Sequence, residues 1–238
     1  MKTNKLTSGH GPGFERLMEP IGRRKFFFFG AAALSTVALV ASGCKKSTTT
    51  PVITDPGVNL GSGDVGILNY AYALEQLEAA FYLQVAATPY SGMSAAELQI
   101  LNDIRDHEVA HRDFFKSALG AMAIQNLEVN FTAINFSSRA SVLGTAKAFE
   151  DLGVSAYNGA GKLIADPGYL LLAGKIVSVE ARHAATIRDL LNSRSADFAG
   201  DDVIDANGLD KARTPSEVLA IAGPFIKTKL NASNLPTT

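Results

Sequence analysis

From about residue 64 onward, the apolar positions of the chain recur every three or four residues in four separate blocks. Ile67, Tyr70, Ala71, Leu74, Leu77, Phe81 and Val85 share one face of a helix predicted from about Asp64 to Ala87. Ser94-Ala95-Ala96-Glu97 reads as a capping box. Behind it Leu98, Leu101, Ile104, Phe115 and Leu119 form a second stripe that Gly120 ends. A long connection follows, with some strand character from Leu127 to Phe136. Ser137 or Ser138 then opens a third stripe through Val142, Ala146, Phe149 and Tyr157, ending near Ala165. Asp166-Pro167 supplies an N-cap with proline in the first turn, and Leu171, Leu172, Ile176, Val179, Ile187 and Leu190 make the fourth.

Each block is about 25 residues, roughly 37 Å of helix at about 1.5 Å per residue. Two hairpins joined by one long crossover satisfy four stripes of this length. The expected fold is therefore all-α: an antiparallel four-helix bundle over residues 64–193. Residues 194–238 are expected to form a polar loop and a short apolar helix, Pro215 to Ile226, packing on the bundle as a lid.

The stripes are interrupted by charge. On a wheel of about 100° per residue, Glu78 stands between Leu74 and Phe81, Glu108 follows Ile104, Glu150 follows Ala146 and Glu180 follows Ile176. Each helix thus turns one glutamate inward. Burying four carboxylates uncompensated costs several kcal/mol apiece, and no lysine or arginine shares their faces. A metal cation answers the charge. Glu78 to Glu108 is 30 residues, Glu150 to Glu180 is 30, and the two halves are offset by 72, so the site is expected to be a pseudo-twofold pair. Glu108-x-x-His111 and Glu180-x-x-His183 each put an oxygen and a nitrogen donor one turn apart on an inward face. The expected ligands are Glu78, Glu108, His111, Glu150, Glu180 and His183.

These helices resemble those of the ferritin-like superfamily. Leu74-Glu75-Gln76-Leu77-Glu78-Ala79-Ala80-Phe81-Tyr82 in particular resembles the bacterial ferritin-like domain family of desiccation-associated type. The resemblance covers roughly Asp64 to Leu191. It implies a ferritin-like bundle with a carboxylate-bridged centre of two Fe ions, Mn being the other metal the donor set fits, able to react with oxygen or peroxide. It also leaves the first-helix ligand open. Glu75 stands seven residues before Tyr82, as the first-helix ligand of ferritins stands before its tyrosine, whereas Glu78 is more central by periodicity; periodicity favours Glu78. The other glutamate is then an alternative ligand or a hydrogen-bonding neighbour of the ligands, a role also expected of Tyr82, Tyr157 and His107.

Two other readings compete. His107-Glu108-Val109-Ala110-His111 is a literal His-Glu-x-x-His, the zinc metalloprotease pattern, with Glu108 as general base and Glu128 or Glu180 as third ligand. It leaves Glu78, Glu150 and His183 unexplained. A structural or stress-associated bundle without chemistry would have lost ligands, and the set here is complete.

Ahead of the bundle, Gly22-Arg23-Arg24-Lys25 leads into Phe26 to Phe29 and an apolar run to Val40, then Ala41-Ser42-Gly43-Cys44. A basic segment, an apolar stretch of about fifteen residues and small residues at a cleavage site are expected to be an export leader over 1–44, too short for a membrane span. The paired arginines resemble a twin-arginine signal. The last four residues resemble a lipoprotein processing site, with Ala41 in place of the usual leucine and Cys44 as the lipidated residue. Translation from Met18 would give a more compact leader. Residues 45–63, rich in Thr, Pro, Gly and Ser, are expected to be a flexible tether from the membrane.

Composition narrows the partners. The 22 basic and 23 acidic residues leave a net charge of −1 and no electrostatic case for nucleic acid. Cys44 is the sole cysteine, so stability must come from packing or metal rather than an internal disulfide. A lipid-tethered chain is expected to be a monomer or dimer rather than a hollow storage shell.

Overall fold

A computed structural model of the chain describes residues 56–237. The expected leader, Cys44 and the first part of the tether lie outside the described residues. Four long helices make the body: α1 Gly63–Ala87, α2 Ala95–Leu119, α3 Arg139–Gly161 and α4 Pro167–Leu191. α1 packs on α2 and α3 on α4 as hairpins, and residues 120–138 cross between them. The protein is thus an all-α bundle, with two 2-residue strands besides.

The helix ends follow local chemistry. The Ser94 hydroxyl accepts from Glu97 N at 3.1 Å while Glu97 Oε2 accepts from Ser94 N at 3.3 Å, closing the expected capping box. Gly120, at φ 55°, stops α2 in a conformation that disfavours side chains. Asp166 accepts from Gly168 N at 2.6 Å and Pro167 begins α4. α3 ends four residues before the expected Ala165, because the amides of Leu163 and Ile164 turn back to Ala160 and Gly161. Asp64 then accepts from Ala165 N and Asp166 N at 2.7 and 2.9 Å, tying the α3–α4 turn to the start of α1.

α1 departs from a simple stripe, because every residue from Gly66 to Ala79 is buried. Its second side is covered by the crossover, by Leu60 and by Leu235. Asn69 donates to the carbonyls of Leu60 and Met122 at 3.0 and 2.9 Å and accepts from Ile124 N at 2.9 Å, and Gln76 accepts from Leu127 N at 2.8 Å. These two amides satisfy backbone that crosses the helix without regular structure. The strand character expected in the crossover reduces to one bridge, Val129 to Ile226. Phe81, Phe131, Phe136, Phe149 and Phe225 meet beneath it with ring centroids 4.9–6.1 Å apart. Phe81 and Phe149 are buried, each contributing about 1.5–3 kcal/mol, and the other three rings are partly buried against them.

The tail lies on the bundle, its helix ending before the expected Ile226. A short helix, α5 Pro215–Ala222, fully buries Val218 and Ala222. Just before it the backbone lies directly on α3, where a Cβ at Gly159 would stand 1.7 Å from the Arg213 carbonyl oxygen. Only glycine permits that approach. Strand β1 Val58–Asn59 pairs in parallel with β2 Leu230–Asn231, and Leu60 is fully buried. The flexible tether expected to reach residue 63 therefore gives way to packed chain by Val58. Leu171, expected in the core stripe of α4, is 54% exposed. Among the described residues no helix is long and apolar enough to cross a membrane.

Candidate metal centre

The four central helices bring their inward polar residues to one level. Glu75, Glu108, Glu150 and Glu180 are fully buried, and Glu78 and His183 nearly so. The side chain of His111 keeps a small exposed edge. Donor atoms of Glu75, Glu108, His111 and Glu180 lie within 4.8 Å of one another, and so do those of Glu108, Glu150, Glu180 and His183. Glu108 and Glu180 belong to both groups. Nδ1 of His111 stands 2.8 Å from Glu180 Oε1 and 3.5 Å from Glu75 Oε2. In the other half, Nδ1 of His183 stands 2.8 Å from Glu108 Oε1 and 3.4 Å from Glu150 Oε2. The halves are related as the 72-residue offset of α2 and α4 anticipates.

On α1 the geometry runs against the periodicity: Glu75, and not the favoured Glu78, joins a four-residue group. The two stand three residues apart, about 60° on the wheel, so both face inward and periodicity alone does not separate them. A cross-helix contact does. The Tyr157 hydroxyl on α3 donates to Glu75 Oε1, and the Tyr82 hydroxyl on α1 donates to Glu150 Oε1 at 2.5 Å. Glu75 precedes Tyr82 by seven residues and Glu150 precedes Tyr157 by seven, so α1 and α3 correspond with an offset of 75. That repeated Glu-x6-Tyr spacing was the sequence signal for Glu75. Each tyrosine holds the glutamate of the opposite half.

His107 lies outside both groups. Its Nδ1 is 2.9 Å from His183 Nε2, the nitrogen directed away from the cluster, and the two rings stack with centroids 5.1 Å apart. It thus contacts His183 of the cluster and does not share a group with His111, as a His-Glu-x-x-His zinc site requires. Glu128 is remote from the cluster, paired at 2.7 Å with Lys227 on the exposed tail.

The electrostatics describe a site short of positive charge. Burial and then the neighbouring carboxylates push Glu180 and Glu78 well above the usual range. Burial likewise pushes Glu75 up to about 7. For Glu108 burial acts in the same direction, but its contacts with His111 and His183 prevail and hold it at about 2. Burial pulls both histidines down, yet the carboxylates around them raise His111 to about 12 and His183 to about 10. Glu75 Oε2, Glu150 Oε2, both oxygens of Glu108 and Glu180, and Nδ1 of His111 and His183 have no hydrogen-bond partner. Six carboxylate oxygens converging on two histidine nitrogens, all buried and without a hydrogen-bond partner, leave negative charge in excess, which is costly unless a cation joins them. The donor set, carboxylate oxygen with imidazole nitrogen, fits that role.

A helical bundle closed around a buried carboxylate and histidine cluster of this kind is a framework that could hold a metal ion. The chain belongs to the ferritin-like domain family, which matches residues 63–193. No curated protein matches it.

Proposed function

We propose that the cluster holds two metal ions, iron in preference and manganese next, in a carboxylate-bridged centre. The observation that carries this reading is that Glu108 and Glu180 are shared by two otherwise separate groups. Glu75 and His111 complete one position and Glu150 and His183 the other, with Glu108 and Glu180 between them. Bound iron would supply one-electron redox chemistry toward oxygen or peroxide, which makes an oxidase, peroxidase or ferroxidase activity the proposed function. The protein's part is to hold and orient. Tyr157 and Tyr82 fix Glu75 and Glu150, and His107 fixes the ring of His183.

This activity is proposed to act in stress protection at the cell envelope, by an exported protein anchored through lipid on Cys44. The twin-arginine and lipoprotein resemblances of residues 22–44 support that placement. Mass spectrometry of the membrane fraction tests it: a diacylglyceryl adduct on Cys44 supports export and anchoring, and an unmodified cysteine counts against them.

Metal analysis of the full-length chain, purified without chelator, tests the centre. Two irons per chain, with a new near-ultraviolet absorption when the ferrous protein meets oxygen or peroxide, supports the reading. Two tightly bound ions without any reaction would leave a metal-stabilised structural bundle, and no metal would remove the proposal.

A further inference from the structure

The symmetry of the centre has one break. With the 75-residue offset that carries Glu75 onto Glu150 and Tyr82 onto Tyr157, Glu78 falls on Gly153. A carboxylate on α1 is answered by no side chain at all on α3. The vacancy is used: a Cβ built on Gly153 would stand 3.1 and 3.7 Å from the two Glu78 oxygens and 3.5 Å from Glu180 Oε2. The Glu78 carboxylate therefore lies against bare backbone, beside Glu180, in the room an alanine would occupy. It is 4% exposed and makes no hydrogen bond or ion pair with a described residue.

A buried, unpartnered carboxylate needs a reason to be there. Packing does not supply it, because an apolar side chain of similar length would fill the same space without the penalty. Its position does. Of the two Glu180 oxygens, Oε1 faces His111 at 2.8 Å, while Oε2, the one beside Glu78, is 3.9 Å from Nδ1 of His183. Along α1, Glu78 lies between Glu75 and Tyr82, and Tyr82 reaches Glu150 in the same half as His183.

We infer that Glu78 is a seventh protein ligand of the centre, serving the ion held by Glu150 and His183 and making the two metal positions inequivalent. The inference rests on the two-metal reading above. Five side chains then surround one ion and four the other. The four-ligand position keeps the more open coordination sphere.

The test is a titration of the metal-free full-length chain with Co2+, whose visible spectrum reports coordination number without any turnover. Wild type is expected to take two ions with separable affinities. Glu78→Gln, which keeps the volume, and Gly153→Ala, which forces the carboxylate aside, should each weaken one ion by roughly tenfold or more and leave the other within about twofold. The weakened ion should show the stronger absorption of a lower coordination number. In His183→Ala, which retains the other ion, adding Glu78→Gln should change nothing further. Equal weakening of both ions would mean that Glu78 acts only as a nearby charge, and unchanged affinities would mean that it does not act at all. Either result overturns the inference while leaving the two-metal reading intact. Wild-type protein that binds no Co2+ overturns both. Should Glu78→Gln fail to fold, Gly153→Ala decides by the same criteria.

Discussion

The hydroxyl of Tyr157 on α3 donates to Glu75 on α1, across the bundle and 82 residues away in the chain. Tyr82 returns the contact to Glu150 at 2.5 Å, so each half of the cluster is braced by a residue from the other half's helix. In Tyr157→Phe, Glu75 Oε1 is left buried without a donor. The metal-free protein should lose about 1–3 kcal/mol of stability, and the affinity of the His111-side ion should fall by roughly tenfold. Tyr82→Phe should act on the His183-side ion instead. Denaturant unfolding and metal titration of the two variants check the exchange; a loss on the same ion in both would contradict it.

Sharing of Glu108 and Glu180 makes stoichiometry diagnostic. Glu108→Ala or Glu180→Ala should abolish both ions, whereas Glu75→Ala, Glu150→Ala, His111→Ala or His183→Ala should leave one. Metal content by mass spectrometry of the folded variants reads this directly.

His107 separates the two-metal and protease arrangements. Because it contacts His183 and not the cluster, His107→Ala should leave two ions bound, the His183-side ion weakened by about tenfold or less. Complete loss of a single bound zinc in that variant would favour the His-Glu-x-x-His reading.

Metal-free protein should become less stable as pH rises from 5 to about 9. Burial pushes Glu75 to about 7 and, with the surrounding carboxylates, Glu78 and Glu180 higher. Burial opposes charge on the histidines, but the carboxylates win and hold His183 at about 10 and His111 at about 12. All five folded values lie above the unfolded ones, near 4.5 for Glu and 6.5 for His. Their contribution is therefore complete below those unfolded values and is lost as pH rises toward the folded ones. Glu108, held at about 2, has the opposite sign, but its effect is confined to pH below about 4.5. Metal displaces the extra protons, so loading should raise Tm more at pH 8.5 than at pH 6, by roughly 5 °C. Calorimetry with and without metal at the two pH values measures the difference, and proton release on loading should appear as a buffer-dependent binding enthalpy.

Arg188 on α4, 2% exposed at its side chain, pairs with Asp151 at 2.7 Å and Asp202 at 2.8 Å and donates to the Asp197 carbonyl at 2.9 Å. Those contacts fasten residues 197–202 to the bundle. Arg188→Met should cost about 3 kcal/mol and expose that segment to proteolysis before the helices unfold. Limited digestion compared with wild type tests this, and the metal content of the intact variant should be unchanged.

Much of this architecture was legible along the chain because its determinants are local. Ser94 with Glu97, Gly120 and Asp166-Pro167 act on backbone within a turn of themselves, so they set helix ends whatever packs alongside. The exceptions have distant causes. α3 stops early where the following turn reaches Asp64, and Leu60 is buried by chain that arrives only after residue 230. Asn69 and Gln76 read as ordinary polar interruptions of α1 until the crossover backbone lies on them.

By itself the sequence determined which residue types face the interior and at what level: one or two glutamates per helix, and two Glu-x-x-His pairs, because 3.6-residue periodicity places side chains on a helix face regardless of partner. Tertiary structure decided where each of two neighbouring glutamates goes, Glu75 to the His111 group and Glu78 to the space beside Gly153 and Glu180. Glu75 and Glu78 differ by about 60° of helix rotation, and that rotation is set by how α1 docks against α3. Tyr157 meets Glu75, and Gly153 leaves its room to Glu78. Those contacts join residues 82 and 75 positions apart in the chain, so no local pattern contains them.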